Sequence, residues 1–175
     1  DPMTTKFTNY NLSQNFFSGW LRGATLIDDK GSIYFNSVDG IVFIHPKHIR
    51  HNEIAPDVAI TDISVLNHSL ANNLRAEGVL LEGGVTNPKH LTLPWKGMIF
   101  SIQFSALHYA NSRFNRYAYK LDGFDQDWVE KDSSHRVATY TNLIPGEYLF
   151  RVKASNNTGI WNETGISLPI TITPP

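Results

Sequence analysis

The chain has no cysteine. That excludes a disulfide framework, a thiolate nucleophile and any cysteine-ligated zinc site. It does not fix a compartment, because a domain with an adequate core needs no disulfide on either side of a membrane. Charge excess is also missing: 15 Lys and Arg stand against 16 Asp and Glu, for a formal charge of −1. No basic run with interleaved aromatics offsets this, so a nucleic-acid partner is excluded. No apolar run approaches the roughly 20 residues that span a bilayer, and no charged-then-apolar leader opens the chain. Asp1-Pro2-Met3 reads as a cloning remnant ahead of an excised fragment, which would leave targeting and membrane segments outside this sequence. Helical periodicity is almost absent. So are a glycine-rich phosphate loop between strand and helix and a Gly-x-Ser-x-Gly elbow.

What is there is a 175-residue chain, 41% hydrophobic and 12% aromatic, enough for a real core and for one domain plus part of another. Short runs of period two bounded by Gly, Pro, Asn and Asp predict an all-β fold. Met98, Phe100, Ile102, Phe104 and Ala106 share one face. Tyr117, Tyr119 and Leu121 share another, and Tyr148, Phe150, Val152 and Ala154 a third. Ile166, Leu168, Ile170 and Ile172 alternate with Pro169, which cannot donate to a ladder and so predicts an edge strand or a bulge. Adding strands near Val58–Leu66, Trp128–Glu130 and Arg136–Thr141 gives seven in about 120 residues, as a fibronectin type III or immunoglobulin-like sandwich requires. Leu70–Pro88 reads as a long, mobile hairpin loop.

The first part reads differently. Ala24–Asp28, Ser32–Asn36 and Ile41–Ile44 are predicted strands, joined by turns at Asp29-Lys30-Gly31 and Asp39-Gly40. The boundary is placed at Ile54–Pro56, giving a first segment of residues 1–54 and a sandwich of 55–175.

Leu143-Ile144-Pro145-Gly146-Glu147-Tyr148 is the sharpest local motif. Pro145 presets φ, Gly146 permits a positive φ, and Tyr148 can then turn its hydroxyl back to an upstream backbone group, the tyrosine corner of such sandwiches. Tyr117, Tyr119, Trp128 and Tyr140 read as core and inter-strand aromatics. Exposed and coplanar, they would instead make a carbohydrate platform. Asp122, Asp125, Asp127 and Glu130 flank the Gly123-Phe124 turn. A glycosidase acid–base pair and a calcium site are alternatives for them; turn-stabilising carboxylates are preferred. His45, His48 and His51 recur every third residue, but an irregular backbone after Pro46 would splay them, so no metal site is expected. Sequons begin at Asn11, Asn67, Asn156 and Asn162; they matter only in a eukaryotic ectodomain.

The run Arg116-Tyr117-Ala118-Tyr119-Lys120-Leu121-Asp122-Gly123-Phe124-Asp125, with Asp127-Trp128, Tyr140 and the corner at Tyr148, resembles the triple-tyrosine (Y_Y_Y) domain over roughly the last two thirds of the chain. Gly23 to Pro46, with Ile33-Tyr34-Phe35, Asp39-Gly40-Ile41 and Phe43, resembles the last repeat of a two-component regulator propeller. A lone blade cannot bury both faces, so it must lie on the sandwich, pair with another copy or stay partly loose. The resemblance implies an incomplete propeller blade followed by the sandwich, within the periplasmic sensor region of a hybrid two-component histidine kinase. Such a fragment is not an enzyme and needs no cofactor. It implies a homodimer, an oligosaccharide ligand bound upstream rather than here, and a membrane tether after Pro175. Tyr117, Tyr119, Gly123, Trp128, Tyr140, Pro145, Gly146 and Tyr148 are its structural motif. A carbohydrate-binding module and a fibronectin-like spacer or adhesion domain are the rival readings.

Overall fold

The computed structural model describes residues 25–37, 40–48, 52–71, 75–76, 78–95 and 98–175. Its regular structure is strand, apart from two 3-10 turns. Two compact units divide between His51 and Asn52.

In the first unit β1 (Leu26–Ile27), β2 (Ile33–Ser37) and β3 (Gly40–Ile44) form one antiparallel sheet in that order. A single carboxylate builds the turn between β1 and β2. Asp28 Oδ1 accepts the N–H groups of Lys30 and Ser32 at 3.0 and 2.7 Å, and Oδ2 accepts the Tyr34 hydroxyl at 3.0 Å. Gly31, at φ 82°, takes the left-handed conformation and donates to the Asp28 carbonyl at 3.0 Å. These donors favour the ionised acid, and the Ser32 N–H above all holds Asp28 below the usual carboxylate range. Ala24 and Asp39, placed in a strand and a turn on sequence grounds, lie outside the described residues.

The second unit contains β4 (Val58–Val65), β5 (His68–Ser69), β6 (Arg75–Ala76), β7 (Val79–Glu82), β8 (His90–Pro94), β9 (Ile99–Ala106) and β10 (Arg116–Asp122). It continues with β11 (Val129–Asp132), β12 (Val137–Thr141), β13 (Gly146–Ser155) and β14 (Ile166–Thr173). They make two sheets, β12-β9-β4-β5 and β11-β10-β13-β14-β8-β7-β6. The inward rows of both sheets join in one core: Ile60, Ile63, Phe100, Ile102 and Phe104 from the first meet Tyr117, Leu121, Phe150, Val152, Leu168 and Ile170 from the second. Alternation decides which side chains go in, since each strand sends every second residue to the same face. The fold is an all-β sandwich.

In its strands the sandwich departs from sequence expectation in two places. Leu70–Pro88 is not simply a loop. It carries β6 and β7, and Leu70, Val79, Leu81 and Val85 are buried in the common core. Hydrophobic burial outweighs the loop-like composition of this stretch. Second, β14 is no edge strand: it pairs antiparallel with β13 and parallel with β8. Pro169 lies opposite Leu149, one residue before the β8 pairing starts at Ile170. The missing N–H therefore falls just outside that ladder, which is how an interior strand tolerates it.

Candidate functional site

The aromatic motif occupies one end and the middle of the sandwich. At the start of β13, the Tyr148 hydroxyl donates to the Ile144 carbonyl at 2.9 Å, four residues upstream, so the corner is closed by its own strand. Pro145 and Gly146 are exposed at the bend. Across from them Gly123, at φ 95°, ends β10; a Cβ there would meet the Tyr148 ring at 3.1 Å. Gly123 thus serves both the left-handed turn and the seating of the corner tyrosine.

Tyr117 is buried, and its hydroxyl oxygen accepts the Ala106 N–H at 3.2 Å, tying β10 to the opposite sheet. Tyr119 packs against Phe104 and Phe150 with ring centroids 5.7 and 6.2 Å apart. Tyr140 stands edge-on to Tyr119 and to Phe124, at 6.5 and 5.9 Å. Its hydroxyl donates to Asp125 Oδ2 at 2.8 Å, and the same oxygen accepts the Leu121 N–H at 2.7 Å. Burial first, then the Asp125 carboxylate, pushes the Tyr140 hydroxyl far above its ordinary value; burial and Asp125 also raise Tyr119.

Trp128 is the exception among the motif aromatics. It lies on the outer face of the larger sheet, with the Arg151 guanidinium 5.2 Å and the Lys153 ammonium 4.8 Å from its ring centre. Lys153 also reaches Trp161 at 5.4 Å and pairs with Glu163 at 2.7 Å. Beneath this stack Ala118 is buried on the same outward-facing row. The two tryptophans are therefore capped by cations and do not present a bare coplanar platform.

Of the acidic stretch, Asp125 is held in its turn, and Asp122 sits beside Lys120 at 3.7 Å and Arg151 at 3.1 Å. The Arg151 Nε is not aligned to donate, so that contact is Coulombic. Asp127 and Glu130 are exposed. Asp125 and Asp122 are thus engaged singly, in a turn and in ion pairs, and among the described residues no three His, Cys, Asp or Glu groups converge as a metal site. In the first unit the 3-10 turn Pro46–His48 stacks His45 and His48, ring centres 4.4 Å apart. The splaying expected of them is corrected by this tight turn; His51 lies outside the described residues.

The structure also assembles a polar cluster that no sequence motif had marked. Asn156 is fully buried at the end of β13, and its Nδ2 donates to the carbonyls of Asn52 and Ile54 at 2.7 and 2.8 Å. Its Oδ1 accepts the N–H groups of Thr158 and Ile160, both at 2.9 Å. The Asn52 side chain meets His108 Nε2 at 2.7 Å, His108 Nδ1 meets Asn115 Oδ1 at 3.1 Å, and Asn115 Nδ2 donates to the His108 carbonyl at 3.2 Å. Asn162 Nδ2 donates to the Pro56 carbonyl at 3.0 Å. Residues 52–56 are thus fastened to the sandwich by Asn156, Thr158 and Asn162 of the β13–β14 connection and by His108 just beyond β9. A signal existed: 108, 115 and 156 continue the inward rows of β9, β10 and β13, so each puts a polar group where the alternation asks for an apolar one. Asn156 also heads a sequon, and its burial makes it unavailable to a glycan in the folded state.

A closed core, aromatics spent on packing and a tyrosine corner define a β-sandwich of the fibronectin and immunoglobulin kind. Residues 108–173 match the Y_Y_Y domain. It is similar to Histidine kinase P4 of Formosa agariphila, 28% identical over 172 residues, which make up 98% of this chain and 12% of that protein. It is also similar to the extracellular domain of the hybrid two-component system BT3049 of B. thetaiotaomicron, with 28% identity and a TM-score of 0.67 over 87% of this chain and 20% of that one. The extracellular domain of BT4673 from the same organism shares the fold, with a TM-score of 0.60 and 22% identity over 86% of this chain and 20% of that one. The chain therefore spans a small part of the length of these relatives. The solved structures it resembles are extracellular domains, and the similarity covers most of this chain. Among the described residues no helix is long and apolar enough to cross a membrane.

Proposed function

We propose that this chain is the relay portion of the periplasmic sensor of a hybrid two-component histidine kinase. In this reading a ligand, an oligosaccharide, binds upstream in a propeller whose last blade is the first unit. The change is carried to the membrane through the juxtaposition of two sandwiches in a homodimer, followed by a tether beyond Pro175. The kinase chemistry resides elsewhere in the polypeptide.

One observation carries the reading. The chain is fastened to the sandwich beside Asn156, just past the last residue of β13, and it leaves along β14, whose Ile172 pairs with Gly146 at the first. β13 has ten residues, which at ~3.3 Å per residue is about 33 Å. Input and output thus sit at opposite ends of one strand at the centre of a packed core, and a body of this kind transmits a displacement instead of absorbing it.

The clasp at the input end supplies the test. In the intact sensor, Asn156→Ala is expected to leave upstream ligand binding unchanged and to cut the ligand-dependent change in kinase output at least severalfold. An unaltered response with the clasp removed would contradict a rigid relay.

A further inference from the structure

At the input end of the sandwich a cleft of about 400 Å³ opens between the β9–β10 loop and the β11–β12 turn, and its lining includes Arg113, Arg136, Tyr109 and Ser105. We propose that this cleft binds an acidic saccharide, with Arg113 and Arg136 taking its carboxylate or sulfate and Tyr109 lying against the ring.

The two walls are fixed before any ligand arrives. The β9–β10 loop is anchored from within by buried His108 and Asn115, and the Ser133 hydroxyl donates to the Arg113 carbonyl at 2.7 Å, tying the second wall to the first. Arg113 comes from one wall and Arg136 from the other, and Arg136 Nη1 donates to Ser105 Oγ at 3.2 Å. No carboxylate lines the cleft, and among the described residues neither arginine has a carboxylate partner. The adjacent acid, Asp132, is turned into its own loop, where it accepts the Ser134 N–H at 2.9 Å and sits 3.0 Å from His135 Nδ1. Two like charges sharing one cleft repel each other until an anion comes between them. Guanidinium forks match the planar pair of oxygens on a carboxylate or sulfate. Beside them Tyr109 is 85% exposed although its neighbour His108 is buried. An exposed aromatic face on a fixed loop suits the apolar face of a sugar ring, and the hydroxyls of Ser105 and Ser112 at the lining suit its hydroxyls.

Titration calorimetry on the full chain tests this with an acidic glucuronate disaccharide, its neutral glucose counterpart, inorganic sulfate and a tetraglutamate peptide. The acidic disaccharide is expected to bind saturably and at least tenfold more tightly than the neutral one. Arg113→Ala and Arg136→Ala should each weaken it about tenfold or more, and Arg136→Lys should recover only part of the loss. Tyr109→Ala should weaken the disaccharide severalfold and leave sulfate unchanged. Thermal melts of each variant matching the wild type separate lost binding from lost fold. Absence of acidic-disaccharide binding, equal binding of the neutral sugar, or indifference to both arginines would overturn the proposal. So would sulfate or tetraglutamate binding as tightly as the disaccharide with no effect of Tyr109→Ala.

Discussion

The two units put similar strands to opposite uses. In the three-stranded sheet Leu26, Ile27, Ile41 and Phe43 are each more than 60% exposed, and Val42 is its one buried hydrophobic residue among those described. In the sandwich, the strands β9, β10 and β13 bury Phe100, Ile102, Phe104, Leu121 and Phe150 almost completely. Both units satisfy their backbone in antiparallel ladders. What differs is a second sheet. A single sheet satisfies its backbone, but only a facing layer removes apolar area from water, at about 25 cal/mol per Å². The sandwich therefore stands on its own core, and the first unit carries apolar side chains suited to neighbours.

The sharpest way to break the contrast is to remove a side chain that joins both layers. Phe104 touches Tyr117, Tyr119 and Phe150, with centroids 5.6 to 6.3 Å away. Phe104→Ala should cost about 3–5 kcal/mol in urea unfolding. Next comes the clasp. Asn156→Ala leaves buried carbonyls and N–H groups without their partner, for a loss of about 2–3 kcal/mol. Amide exchange should quicken at Thr158 and Ile160, and a uniform quickening across the unit would argue against a local clasp. Tyr148→Phe removes only the corner hydrogen bond and should cost about 1 kcal/mol in the same assay.

Tyr140 gives a pH signature. Its hydroxyl titrates higher in the folded protein than in the unfolded chain, because burial and Asp125 favour the neutral form. The stabilisation is then complete below about pH 10 and is lost as pH climbs above it. Tyr140→Phe should flatten that alkaline decline, seen as a smaller drop in Tm between pH 9 and pH 11. The smallest effect is expected in the first unit: Ile41→Thr, on an exposed position, should shift unfolding of the sandwich by no more than about 0.5 kcal/mol.

How much of this was legible follows from the same physics. Alternation placed the rows of β9, β10, β13 and β14, because residues two apart must share a face. The Tyr148 corner was readable since Pro145, Gly146 and the tyrosine are local in sequence. Leu91 and Leu93 in β8 alternate inward, but the run between Pro88 and Pro94 is too short for its period to stand out. The parallel pairing of β8 with β14 joins residues about 80 apart and leaves no local trace. Trp128 faces outward because it lies beyond Val129, the residue paired with inward-facing Tyr119, so the pleat sends it the other way. The clasp stayed hidden for a different reason. Asn52, His108, Asn115 and Asn156 become partners only after three strands bring their ends together, and each alone looks like an ordinary turn residue.

The most direct test of the relay is the solution mass of residues 52–175 beside that of the full chain, by sedimentation across a wide concentration range. A concentration-dependent dimer is expected for both, which would put the coupling surface on the sandwich. A sandwich that stays monomeric to millimolar concentration with its fold intact would contradict transmission by paired sandwiches.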